Sequence, residues 1–139
     1  LKTRTQTAGV AGQTGADSQA DPAAEAAYDG IRASTTDVAA IAQTTGIKPE
    51  NVQQVKDHTF MQAHLLDRFV RQGIAPQVRR FHASAGIAAA WERLAAGQGT
   101  AHDLQLLRHE GAEAWFMRRH GPSFDAAHTA AHARYPWKG

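Results

Sequence analysis

The chain has 139 residues, 15 Lys and Arg against 13 Asp and Glu, a formal charge of +2, and 42% hydrophobic residues. That is one domain's worth of sequence. It contains no cysteine, which excludes a disulfide scaffold, thiol catalysis and any Cys-ligated zinc site. No apolar run approaches the roughly 18 residues of a spanning helix. No basic stretch followed by an apolar one opens the chain as a secretory leader would. The first residue is Leu rather than Met, as expected of a piece cut from a longer protein.

Two zones follow. Residues 1–33 are rich in Gly, Thr, Gln, Ala, Ser and Asp, with Leu1, Val10, Tyr28 and Ile31 as their few large apolar side chains. So little apolar surface does not offset the entropy of ordering, and the stretch reads as a disordered linker or arm. Within it, Pro22–Ala33 has the makings of a short helix. Residues 34–139 form the body, which holds all eight His and nine of the ten aromatics. From residue 51 on, eleven basic groups face seven acidic ones, a mild surplus compatible with an anionic target.

The body reads as all-α, a compact bundle of about six short helices, with no clean alternating run of strand length. Thr36 can cap a helix carrying Val38, Ile41 and Ala42 and ending at Gly46. Pro49 suits a first turn, with Val52 and Val55 following. Phe60 to Gln72 places Met61, Leu65 and Phe69 on one stripe ended by Gly73. Ile87, Trp91 and Leu94 form the next, ended by Gly97. Thr100 and Asp103 resemble a capping box ahead of Leu104, Leu107, Gly111 and Trp115. Gly121-Pro122 breaks the chain, and Ser123 caps a last helix through about Arg134. Trp91 and Trp115 both read as core.

The chemistry concentrates in Arg108-His109-Glu110-Gly111-Ala112-Glu113. His109 and Glu113 are one turn apart, and Glu110 and Glu113 share a face. Such a turn can bind a divalent metal or act as a general acid and base. The motif is HExxE and lacks the second His of the HExxH zinc peptidases. The competing reading is a solvated helix edge, because the apolar stripe points elsewhere. His128 lies one turn from His132 on the last helix. The short Gly121-Pro122 turn allows antiparallel packing, which would bring His128 to His109 and Glu113 in a solvent-reachable pocket. The three would then be the metal set. His58 and His64 fall on different faces of one ideal helix and converge only if the chain breaks near Thr59. Arg68 lies in the same region. The doublets Arg79-Arg80 and Arg118-Arg119 are candidates for phosphate binding, although doublets are commonly just solvated. His82, His102 and His120 read as surface. No P-loop, GxGxxG, GxSxG or EF-hand loop occurs.

Several blocks carry a resemblance. They are Asp37–Ile47 (DVAAIAQTTGI), Val52–His58 (VQQVKDH) with His64, Ala90–Leu94 (AWERL) with Gly97, and above all residues 103–137 (DLQLLRHEGAEAWFMRRHGPSFDAAHTAAHARYPW). Together they resemble a module at the C-termini of bacterial polymorphic toxins of the Rhs and contact-dependent-inhibition types, found also in phage head-morphogenesis proteins of the MuF type. The resemblance spans about residues 34–137. It implies a secreted antibacterial effector, carried N-terminally by a larger delivery protein, acting inside a target bacterium and opposed by an immunity protein. The matched positions His58, His64, His109, Glu110, Glu113 and His128 include the residues singled out by spacing.

Three functions remain open. A nuclease would use His109, Glu110, Glu113 and His128 for proton transfer or a metal ion (Zn, Mg or Mn), and Arg68, Arg79, Arg80, Arg108, Arg118 and Arg119 for phosphate charge. A zinc hydrolase acting on protein or cell-wall peptide would take His109, Glu113 and His128 as ligands and Glu110 as base. A helical binding module would use none of them chemically. The nuclease ranks first, for the basic body and the absent second His.

Overall fold

The computed structural model describes residues 21–139, and most of the arm lies outside them. The described residues are all-α in class. Six α-helices are joined to one two-stranded ribbon: α1 (Pro22–Ala33), α2 (Asp37–Thr45), α3 (Pro49–Lys56), a π-helical turn (Asp57–Met61), β1 (His64–Leu66), a 3-10 turn (Val70–Gln72), β2 (Gln77–Arg79), α4 (Ala85–Ala95), α5 (Ala101–His120) and α6 (Phe124–Arg134). None of these helices is long and apolar enough to cross a membrane.

The packed body starts earlier than residue 34. Helix α1 is capped by Asp21, whose carboxylate accepts from the Ala24 N–H, and has Pro at its first turn. It buries Ala24, Tyr28 and Ile31. The Tyr28 ring meets Phe60 edge-on at 4.8 Å, and Phe60 meets Trp91 at 5.2 Å. These rings join Ile41, Val52, Val55, Ile87, Leu94, Leu106, Leu107 and Trp137 in the main core. Two large side chains at helical spacing are enough to dock a helix onto a core that is already there, which composition averaged over residues 1–33 conceals.

The second difference lies at Phe60–Gln72, which is not one helix. Helix α3 widens into the π turn, where the Gln62 N–H reaches back five residues to the Asp57 carbonyl. Arg32 Nε donates to the Phe60 carbonyl at 2.6 Å, satisfying a backbone group that the broken helix would leave without a partner. The chain then pairs antiparallel with β2, His64 opposite Arg79 and Leu66 opposite Gln77. Strands of three residues are too short to show alternation. A small second core of Leu66, Phe81 and Phe124 lies beneath them.

Two other helix starts agree with the sequence. Thr100 and Asp103 form a full capping box, and the Ser123 hydroxyl accepts from the Ala126 N–H. Ser123 also donates to Asp67, which in turn accepts from the Asp125 N–H. Through Asp67 the β1 segment is fastened to the start of α6. Thr36 precedes α2 without a side-chain cap. Trp115 departs from the core reading at 47% exposure, whereas Trp91 is buried.

Candidate functional site

Helix α5 turns Asp103, Leu106, Leu107, His109, Glu110, Glu113 and Ala114 inward. The buried stripe therefore contains three fully buried carboxylates, Asp103 in the first turn and Glu110 and Glu113 beside the equally buried imidazole of His109. The expectation of a solvated helix edge fails because three other segments cover this face. They are α6 after the Gly121-Pro122 reversal, the π turn, and the Tyr135 segment.

Glu113 is the hub. Its Oε2 lies 2.8 Å from His109 Nε2 and 2.9 Å from His128 Nδ1, and its Oε1 lies 2.9 Å from His58 Nε2. Glu110 stands beside it. Its Oε1 accepts from the Thr59 hydroxyl at 3.3 Å and lies 3.7 Å from His58 Nε2. Its Oε2 is buried without a hydrogen-bond partner, 3.9 Å from His109 Nε2. The remaining nitrogen of His109, Nδ1, donates to the Tyr135 carbonyl at 2.9 Å. A carbonyl only accepts, so Nδ1 carries the proton and Nε2 is the nitrogen turned to the carboxylates.

These surroundings shift the titrations. Burial opposes charge on His109, but its bond to Glu113 and the nearby Glu110 charge outweigh that and hold it up at about 9. Burial, with the Glu113 charge next, pushes Glu110 up to about 7. Burial would also raise Glu113, yet the bonds from His109, His128 and His58 keep it well below the usual carboxylate range.

His58 and His64 do converge. The break after the π turn brings their rings to 4.5 Å, and His64 Nε2 donates to the His58 carbonyl at 2.7 Å. Burial, reinforced by His58, lowers His64 to about 4, so it is neutral at physiological pH. Both line a cavity of about 290 Å³ together with Gln54, Asp57, Gln62 and Arg118. The pocket foreseen for the cluster thus opens on its His58 side, while His109 and Glu113 lie sealed beneath.

The cations divide. Arg118 is exposed on that cavity's wall. Arg119 is exposed and lies over the Trp115 ring at 5.2 Å. Arg108 lines separate cavities with Gly111 and Trp115 on the outer face of α5. Arg79 is half-buried against His82, and Arg80 is exposed. Arg68 is half-buried, and its Nε has no partner. Of these cations, only Arg118 shares a cavity with the cluster's His58.

Thr59, the Tyr135 carbonyl and His132 were not in the sequence-derived site. His132 stacks on His128 at 5.6 Å, and its one-turn spacing from His128 was a readable signal. A backbone carbonyl leaves none.

The donor atoms suit a divalent cation. Those of His109, Glu113 and His128 lie within 4.8 Å of one another, as do those of His58, Glu110 and Glu113. Ligands about 2.1 Å from one ion lie at most about 4.2 Å apart, so small side-chain movements close either set. Imidazole with carboxylate fits a borderline metal, and the His109 bond to Tyr135 is the outer-shell contact that orients a ligating His. No family model matches the chain, and no curated protein and no solved structure matches it.

Proposed function

We propose that the domain is a metal-assisted hydrolase of nucleic acid, the toxic tip of an antibacterial effector. The observation that carries this reading is three imidazoles converging on one buried carboxylate, Glu113, beside a cavity that Arg118 shares. A structural core has little use for such a group, since burying ionisable side chains costs several kcal/mol each on an order-of-magnitude scale unless they are paired or bind an ion. His109, Glu113 and His128 would hold the cation, zinc, manganese or magnesium, which polarises the phosphate and lowers the pKa of water.

The protein's own groups supply the rest. With both its oxygens occupied by His contacts, Glu113 acts as ligand rather than base. Glu110 has a free oxygen and a pKa near neutrality, as a general base requires. It takes the proton as the water oxygen adds to phosphorus. The P–O bond to the leaving oxygen breaks, and Glu110 returns the proton to that oxygen. Arg118 offsets charge on the phosphate. The sequence resemblance to polymorphic toxin tips supports delivery by a larger protein into a bacterium, and an immunity protein to block the site.

A second reading, a zinc hydrolase acting on peptide, is favoured by the adjacency of Glu110 to His109 and Glu113, since a base beside two ligands also serves peptide hydrolysis. Incubating the pure protein with plasmid and total RNA, with Mg, Mn or Zn and with EDTA, decides between them. Metal-dependent cleavage supports the nuclease. Intact nucleic acid under every metal overturns it.

A further inference from the structure

We propose that the cluster holds two divalent cations rather than one, bridged by Glu113, and that it therefore selects an anionic substrate such as a phosphodiester over a neutral peptide. This rests on the metal-assisted reading above. It goes beyond it by adding a second ion, with His58 and Glu110 among its ligands.

Each of the two carboxylates faces both halves of the cluster. Glu113 turns Oε1 to His58 Nε2 at 2.9 Å and Oε2 to His109 Nε2 at 2.8 Å. Glu110 does the same, Oε1 to His58 at 3.7 Å and Oε2 to His109 at 3.9 Å. Both carboxylates thus lie between one imidazole on the π turn and another on α5, with Glu113 at hydrogen-bond distance from each. His128 Nδ1 joins the His109 side through Glu113 Oε2. The donors sort into two triads, His109, Glu113 and His128 against His58, Glu110 and Glu113. A bridging carboxylate suits cations about 3.5–4 Å apart.

A further observation points to a cation and its water in the cluster. Glu110 is fully buried, yet its Oε2 has no hydrogen-bond partner. A buried carboxylate oxygen without a donor is costly, and a water held by a cation on the His109 side would supply that donor. Thr59 on Glu110 and Tyr135 on His109 are the outer contacts that would hold these ligands in place.

Charge then sets the substrate class. Two dications exceed two carboxylates by two positive charges in a buried site. Such a surplus favours anionic ligands. A phosphodiester brings one negative charge, and a coordinated water that has lost its proton brings the other. A peptide bond brings none.

The test uses the full chain, stripped with EDTA, dialysed and titrated with Mn²⁺ or Zn²⁺. Two equivalents per chain are expected by elemental analysis. With Mn²⁺, electron paramagnetic resonance should show a spin-coupled pair, its hyperfine spacing half that of an isolated ion. His58→Asn should retain the fold by circular dichroism, bind one equivalent and give the isolated-ion spectrum. Inorganic phosphate should bind the loaded protein and not the stripped one. One equivalent in the unmodified chain overturns the second ion and leaves the single-metal reading standing. No retained metal overturns both. A loaded protein that does not bind phosphate overturns the anion preference. If His58→Asn unfolds, the stoichiometry and spectrum of the unmodified chain decide.

Discussion

The Nδ1–H of His109 donates to the main-chain carbonyl of Tyr135, 26 residues further on, at 2.9 Å. This bond fixes which ring nitrogen faces the glutamates and locks the segment after α6 over the site. In ¹⁵N spectra of labelled protein, His109 should show a protonated Nδ1 at every pH where the fold persists. Adding Zn²⁺ should shift Nε2 and leave Nδ1 unmoved. A protonated Nε2 with a bare Nδ1 would contradict the orientation on which the metal reading depends.

His109→Ala removes one of the three proposed ligands, His109, Glu113 and His128. Cleavage is expected to fall by about 100-fold or more, and retained metal by at least one equivalent. Growth inhibition on expression in bacteria should disappear with it. A folded variant that still kills at the unmodified level would favour the binding-module reading.

Arg118 is the cation on the cavity wall, and Arg80 is an exposed one just after β2 that does not line this cavity, so charge reversal should separate them. Arg118→Glu should raise KM and flatten the dependence of binding on log salt by about one unit, the signature of a lost phosphate contact. Arg80→Glu should change both much less. Equal effects would mean that the anion is held by diffuse charge and not at this cavity.

Tyr28 tests where the domain begins. Tyr28→Ala should cost about 3–5 kcal/mol in urea unfolding, as loss of a fully buried aromatic does. An unchanged midpoint would return residues 22–33 to the arm.

Acid should weaken the fold through Asp103. Its carboxylate is held below the usual range first by the hydrogen bonds from Arg93, and also by the Thr100 N–H. A depressed folded pKa contributes stability that is present above the ordinary carboxylate range and lost as pH falls through the folded value. Asp103→Asn should therefore lower the melting temperature at neutral pH. The gap to the unmodified chain should close as pH drops below about 4. Melting curves of EDTA-treated protein at several pH values would show it, and a gap that does not depend on pH would refute it.

Much of this molecule was legible from residue order because much of it is set locally. The Thr100–Asp103 box, the Ser123 cap, Pro49 at a first turn and the Gly121-Pro122 reversal are short-range devices. His109, Glu110 and Glu113 could be grouped because one helical turn carries them. Their burial was not legible, since it depends on segments that arrive from residues 58, 128 and 135. The Trp115 stripe misled for the same reason: helical spacing gives a face but not the direction in which the fold turns it. The π turn and the three-residue strands leave no periodicity to read. Even so, the different faces of His58 and His64 on one ideal helix marked the neighbourhood of Thr59 as the place where a break would bring them together.

That widened turn at Asp57–Met61 acts as a phase adjuster. A π segment amounts to one extra residue in an α-helix. Deleting Asp57, whose side chain accepts only an exposed contact from Gln53, would draw His58 back into the α3 helical path and rotate it by about 100°. All five titratable side chains of the centre would still be spelled out in the sequence, yet one of them would face the wrong way. A relative could thus keep every donor and be chemically silent for want of a single surplus residue, so an inventory of side chains alone is not enough to recognise a working copy.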